Sequence, residues 1–77
     1  MNELDRITFS PDIMGGRACI RGMRITVSLI LTLIANGMTV AEVVEAYPYV
    51  EPEDIQQSLQ YAALLAEDSI VQLRPAA

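Results

Sequence analysis

The chain has 77 residues, 52% of them apolar, and a net charge of −5. That length gives one domain near the lower limit of what folds alone. It has no histidine and a single cysteine, Cys19, which rules out an internal disulfide and argues against a zinc site.

The charge is unevenly placed. Residues 1–24 carry four arginines and three acids, a net of +1, whereas residues 25–73 carry seven acids and no Lys or Arg, a net of −7. An acidic body does not suit general nucleic-acid binding, because duplex DNA is itself densely negative. The N-terminal Met1-Asn2-Glu3-Leu4-Asp5-Arg6 has no apolar core and does not read as a signal peptide. The longest apolar-rich run, Ile25 to Ala35, is broken by Thr26, Ser28 and Thr32, and it falls short of the roughly 20 residues that a bilayer span requires. A cytoplasmic protein with no membrane association is expected. The mean hydropathy is +0.32. A domain this small buries only about 60% of its unfolded surface, so a second chain is expected to cover part of the apolar excess, most simply in a homodimer.

In chain order, Ile7-Thr8-Phe9 reads as a short strand closed by Ser10-Pro11-Asp12, a turn signal. Gly15-Gly16 suits a tight turn at positive φ. Ala18-Cys19-Ile20 reads as a second strand, Arg21-Gly22 as a turn and Met23-Arg24-Ile25 as a third extended piece. Three helices follow. The first is expected over Val27–Asn36, capped by Thr26 and stopped by Gly37. Its apolar residues cover nearly the whole circumference, leaving Ser28 and Thr32 as the one polar stripe. One side is thus expected to face the core and the other a partner.

The second helix opens with the capping box Thr39-Val40-Ala41-Glu42. Met38 and Val43 form a hydrophobic staple around it, and Pro48 ends the helix. The third starts near Pro52, with Glu51, Glu53 and Asp54 read as acids at the positive end of the helix dipole. Its core stripe is expected to be Ile55, Leu59, Ala62, Ala63 and Ala66, and its end about Asp68. The layout is one domain: strands and Gly/Arg segment over 5–25, helices over 26–68, and a tail over 69–77. A short capped helix, a turn and a longer helix describe a helix-turn-helix, so the fold expected is mainly α with short N-terminal strands.

Candidate functional residues are few. Without His, Cys19 has no general base, and on an apolar strand it reads as a small buried hydrophobe. Met14, Met23 and Met38 read as apolar fillers. No catalytic residue, metal ligand or cofactor site is assigned. Arg17, Arg21 and Arg24 lie within one Gly-punctuated segment. A guanidinium fork suits carboxylates and phosphates, which makes these three the candidate partner contacts. Gln56, Gln57 and Gln60 on the third helix could read base edges. However, the acids at the start of that helix oppose the approach to phosphates that a recognition helix makes.

Ile7-Thr8-Phe9, Gly15-Gly16-Arg17, Ile20-Arg21-Gly22, Arg24-Ile25, Asn36-Gly37, Tyr47-Pro48 and Glu53-Asp54-Ile55 together resemble the domain of unknown function 433 family over roughly residues 5 to 68. The most specific part is Gly-Gly-x-x-x-Ile-Arg-Gly-x-Arg-Ile. Ala18 stands where these proteins often have Pro, and Met23 where they usually have Thr. The resemblance implies a winged or homeodomain-like helix-turn-helix scaffold. It also implies, for many members, an antitoxin of a type II toxin–antitoxin pair encoded beside a small PIN-like ribonuclease toxin. Such nucleases hold a metal with clustered carboxylates, which arginines at 17, 21 and 24 could neutralise. The function expected is a non-enzymatic, antitoxin-like inhibitor. The alternative is a DNA-binding regulator of the helix-turn-helix type.

Overall fold

A computed structural model describes residues 4–68; the tail expected over 69–77, with Arg74, lies outside the described residues. Two strands, β1 (Ile7–Phe9) and β2 (Ala18–Ile20), precede three helices, α1 (Val27–Ala35), α2 (Val40–Ala46) and α3 (Pro52–Asp68). The strands form an antiparallel ribbon with Ile7 opposite Ile20, Thr8 opposite Cys19 and Phe9 opposite Ala18. In the connection between them, Met14, Gly15 and Gly16 all take positive φ.

After β2 the chain reverses through Arg21 and Gly22, at φ of 45° and 72°, and the Met23 amide donates to the Ile20 carbonyl over 2.8 Å. Two positive φ values in a row define a type I′ turn, the tight reversal whose twist matches a ribbon. Gly22 adopts it freely; Arg21 does so against its steric preference. The third extended piece expected at Met23-Arg24-Ile25 does not form a strand. The Ile20 amide donates to the Ile25 carbonyl over 2.9 Å and Cys19 forms a single bridge to Thr26. Pairing stops there because Thr26 turns to cap the next helix.

The helix ends follow local chemistry. The Thr26 hydroxyl accepts from the Leu29 amide at 3.0 Å. At the other end Gly37 sits at φ 99°. Its amide donates to Ile34 O and that of Met38 to Leu33 O, at 3.0 and 3.1 Å. This pair of bonds is a Schellman stop, which favours glycine at the left-handed position. Both halves of the Thr39–Glu42 capping box are made, at 2.8 and 3.1 Å. Tyr47, before Pro48, leaves helical geometry at φ −128°, ψ 83°.

The core is Ile7, Ile20, Val27, Ile30, Val43, Val50 and Ile55, with Met38 packed against it beside its staple partner Val43. α1 lies in the middle, against β2, α2 and α3. This corrects the expectation of an outward apolar side on α1. Leu29, Leu31, Leu33 and Ile34 are all half-buried within the chain, and the helix exposes Ser28, Thr32 and Ala35. The stripe on α3 is also different from the one expected. Ile55 is fully buried, but Leu59, Ala63 and Ala66 are exposed, and the other buried positions are Asp54, Gln57 and Ser58. Polar side chains with fixed partners hold that face inward and turn the helix about its axis.

The capping box sits on an exposed helix start, so its effect is separable from packing. Thr39→Ala is expected to cost about 1 kcal/mol. In a calorimetric scan this corresponds to a melting temperature lower by roughly 4–8 °C.

Candidate partner-binding surface

The start of α3 holds a buried ionic cluster. The Asp54 side chain is fully buried. Its Oδ1 accepts from Arg6 Nη1 at 3.0 Å and from Arg21 Nε at 3.1 Å. Its Oδ2 accepts from Arg21 Nη2 at 2.9 Å and from the Glu51 amide at 2.8 Å. The last bond is half of a capping box, with Asp at the third helical position reaching back to the cap residue. Arg6 Nη1 also donates to Glu51 Oε1 at 2.7 Å, and Arg21 Nη2 to the Tyr49 carbonyl at 2.6 Å.

Two arginines and two carboxylates balance to neutrality, which a buried charge requires. Burial taken alone raises the pKa of Asp54. The hydrogen bonds from Arg21, the Glu51 amide and Arg6 outweigh it and hold the carboxyl below the ordinary aspartate value. The same bonds raise both arginines, Arg6 chiefly through Glu51 and Arg21 chiefly through Asp54.

Around this cluster lies a second polar chain. Gln57 Nε2 donates to Asp5 Oδ1 and Gln57 Oε1 accepts from the Arg6 amide, each at 2.9 Å. The Ser58 hydroxyl donates to the Asp54 carbonyl at 2.8 Å, and the Arg21 amide donates to the Arg6 carbonyl at 2.8 Å. The segment before β1, the turn after β2 and the α2–α3 connection are thus tied to one helix end.

This arrangement separates the three candidate arginines. Arg21 is turned back onto the protein, with a side chain 34% exposed and three bonds to the buried Asp54. Arg17 and Arg24 are exposed and form no ion pair with any described residue. The three glutamines part as well. Gln57 is buried with its amide engaged, which prevents it from reaching a base edge; Gln56 is exposed and Gln60 half-buried. Cys19 is buried, 1% exposed, as its apolar setting implies.

Asp54, read from sequence as a helix-end charge at the surface, is instead the most connected side chain described, and it draws in Arg6, which lies outside the Gly-punctuated segment. A signal was present. Pro52 fixes the first helical position and so places Asp54 at the third, where its carboxylate turns back over the helix start. An arginine beside a glycine in a tight turn is the matching donor.

The ribbon, the three helices and this cluster define a small helical domain with an N-terminal β-ribbon. Residues 7–62 match the family described as Protein of unknown function (DUF433), and the chain belongs to that family. It is 38% identical over 56 residues to the uncharacterized protein y4eO of Sinorhizobium fredii, a match covering 73% of this chain and 25% of that protein. A crystal structure of a DUF433 member protein from Anabaena variabilis superposes with a TM-score of 0.74 at 29% identity, covering 80% of this chain and 61% of that one. The chain therefore spans about a quarter of the first relative and less than two thirds of the second.

Asp54→Asn leaves two arginines against a weak acceptor and is expected to cost about 3 kcal/mol in urea unfolding, the low end for a broken buried pair because both arginines keep some contact with water. With a folded pKa below the unfolded one, Asp54 stabilises the fold fully above the ordinary aspartate range. That contribution is lost as pH falls through it toward the folded value. The gap between wild type and Asp54→Asn should therefore be full near pH 7 and close steadily below about pH 4. Arg21→Lys should also lower the melting temperature, since a single ammonium cannot bridge both carboxylate oxygens and the Tyr49 carbonyl as the fork does.

Proposed function

We propose that this domain is a non-enzymatic interaction module of the cytoplasm, an antitoxin-like inhibitor of a small PIN-like ribonuclease, with Arg17 and Arg24 as the contacts to the nuclease carboxylates. The observation that carries the reading is the contrast between these two side chains and the other two described arginines. Arg6 and Arg21 are consumed by Asp54 and Glu51, while Arg17 and Arg24 project without an ionic partner among the described residues from the two ends of the β2 turn region. Cations on an acidic chain that do not pair internally are available to an acidic surface elsewhere. The family resemblance supplies the class of partner.

A DNA-binding role is supported less well. The first turn of α3 presents the exposed Glu51 and Glu53 where a recognition helix would approach phosphates.

The test starts from the reading frame next to this gene. Its product, expressed alone, is expected to be a small nuclease that arrests growth, and co-expression of this chain should lift the arrest. The Arg17→Ala/Arg24→Ala variant should keep its melting temperature and lose capture of the nuclease by about tenfold or more, as truncation of a desolvated charge pair does. A regulator would behave differently. Two arginines on phosphates give a log–log salt slope near −2, and tight binding to operator DNA that depends on Gln56 and Gln60 would replace the inhibitor reading.

A further inference from the structure

Of the four charges in the Asp54 cluster, three are fixed and one is not. Asp54 is fully buried, and its carboxylate holds Arg6, Arg21 and the Glu51 amide. Arg21 is fixed further by the Tyr49 carbonyl. The Glu51 side chain, 55% exposed, is attached only through Oε1, to Arg6 Nη1 at 2.7 Å. The guanidiniums also have donors left over. Arg6 Nε and Nη2 and Arg21 Nη1 donate to no described residue. Among the described residues no buried side-chain nitrogen lacks a partner, so those of Arg6 reach solvent.

We propose that Arg6 and Arg21, brought together on Asp54, form a binding site for the phosphate group of a small molecule, and that Glu51 occupies it as a displaceable stand-in. Charge favours an anion. With Glu51 turned away, two guanidiniums face one carboxylate, a net of +1. A phosphate group brings a charge of about −1.5 to −2 and three acceptor oxygens, enough to serve both guanidiniums at once, where a carboxylate has two oxygens. Asp54 holds both donors in place before the ligand arrives, which lowers the ordering cost of binding.

Displacing Glu51 costs little, because an exposed ion pair contributes at most about fivefold to an equilibrium. Its amide stays on Asp54, so the side chain can turn out while the start of α3 keeps its place. Glu53, exposed in the same first turn, repels the ligand, so binding in the millimolar range is expected. This inference goes beyond the inhibitor reading and does not depend on it, since it uses neither Arg17 nor Arg24.

The experiment is a magnetic-resonance titration of the full chain, labelled with nitrogen-15, with inorganic phosphate to about 50 mM. Chloride holds the ionic strength constant, so that screening does not change. The Nε resonances of Arg6 and Arg21 should move together and saturate. Glu51→Gln should bind phosphate about three- to fivefold more tightly. Glu53→Gln removes the same charge from a residue that pairs with neither arginine, and should change the affinity by less than about twofold. Arg6→Gln should abolish saturation; because it also loosens the ribbon, Glu51→Gln is the deciding variant. A nucleoside monophosphate titrated in parallel separates the sources. Equal affinity assigns the site to phosphate itself and about tenfold tighter binding assigns it to a nucleotide, and either supports the inference. Resonances that drift linearly in both the wild type and Glu51→Gln overturn it. An equal gain from Glu51→Gln and Glu53→Gln also overturns it, since the effect is then one of general charge. So does saturation centred on Arg17 and Arg24 with Arg6 unmoved.

Discussion

The fastening of the N-terminal ribbon to the helical body turns on one carboxylate. Asp54 is fully buried and receives two guanidinium groups and a backbone amide. The apolar core alone would leave the N-terminal ribbon weakly held, because its two strands contribute only Ile7 and Ile20 to that core and a two-stranded ribbon is marginal by itself. The carboxylate supplies the second attachment. Arg6 anchors the entry to β1, and Arg21 anchors the reversal after β2. Arg21 could not be exchanged for lysine with the same result, since it reaches Asp54 and the Tyr49 carbonyl from two separate nitrogens, Nε and Nη2. The unfavourable backbone of Arg21 is tolerated because its side chain is fixed from the other end.

The same cluster shapes what the protein offers to others. By neutralising Arg6 and Arg21 it leaves the Gly/Arg segment with two outward cations in place of four. By turning Asp54, Gln57 and Ser58 inward it sets the face of α3 that packs on the body, and where the body ends that same face surfaces at Leu65, beside Leu64. The two exposed features, one basic and one apolar, thus share a single origin in the way α3 is seated.

Helix limits and caps were legible in the sequence because they are set by neighbours within four residues. Thr26, Gly37, the Thr39–Glu42 box, Pro48 and Pro52 each act locally, and each end lies where those residues place it. Both strands were legible for the same reason. The face of α3 was not. Period alone favours Leu59, Ala63 and Ala66 as core, and this preference is overridden by ion pairs between residues 33 and 48 positions apart. The same long-range pairing made Arg21 look like its neighbours Arg17 and Arg24, from which it differs in the fold. Gln57 was misread likewise, for a buried amide and a surface amide share one letter until the partner, here Asp5, is known.

The separation of those contacts along the chain has a consequence for the order of folding. α1, α2 and α3 follow one another through short connections, so their packing closes small loops, whereas the ties from Arg6 and Arg21 to Asp54 close loops of some tens of residues, at a higher entropic cost. The helical body is therefore expected to assemble before the ribbon is fastened to it. In the native state the ribbon is then expected to open at lower free energy than the helices, with its amides exchanging ahead of theirs. The segment that carries Arg17 and Arg24 is thus hinged to the body by a salt link and two isoleucines. A partner that grips those arginines takes hold of the least stable unit of the domain and makes it more rigid.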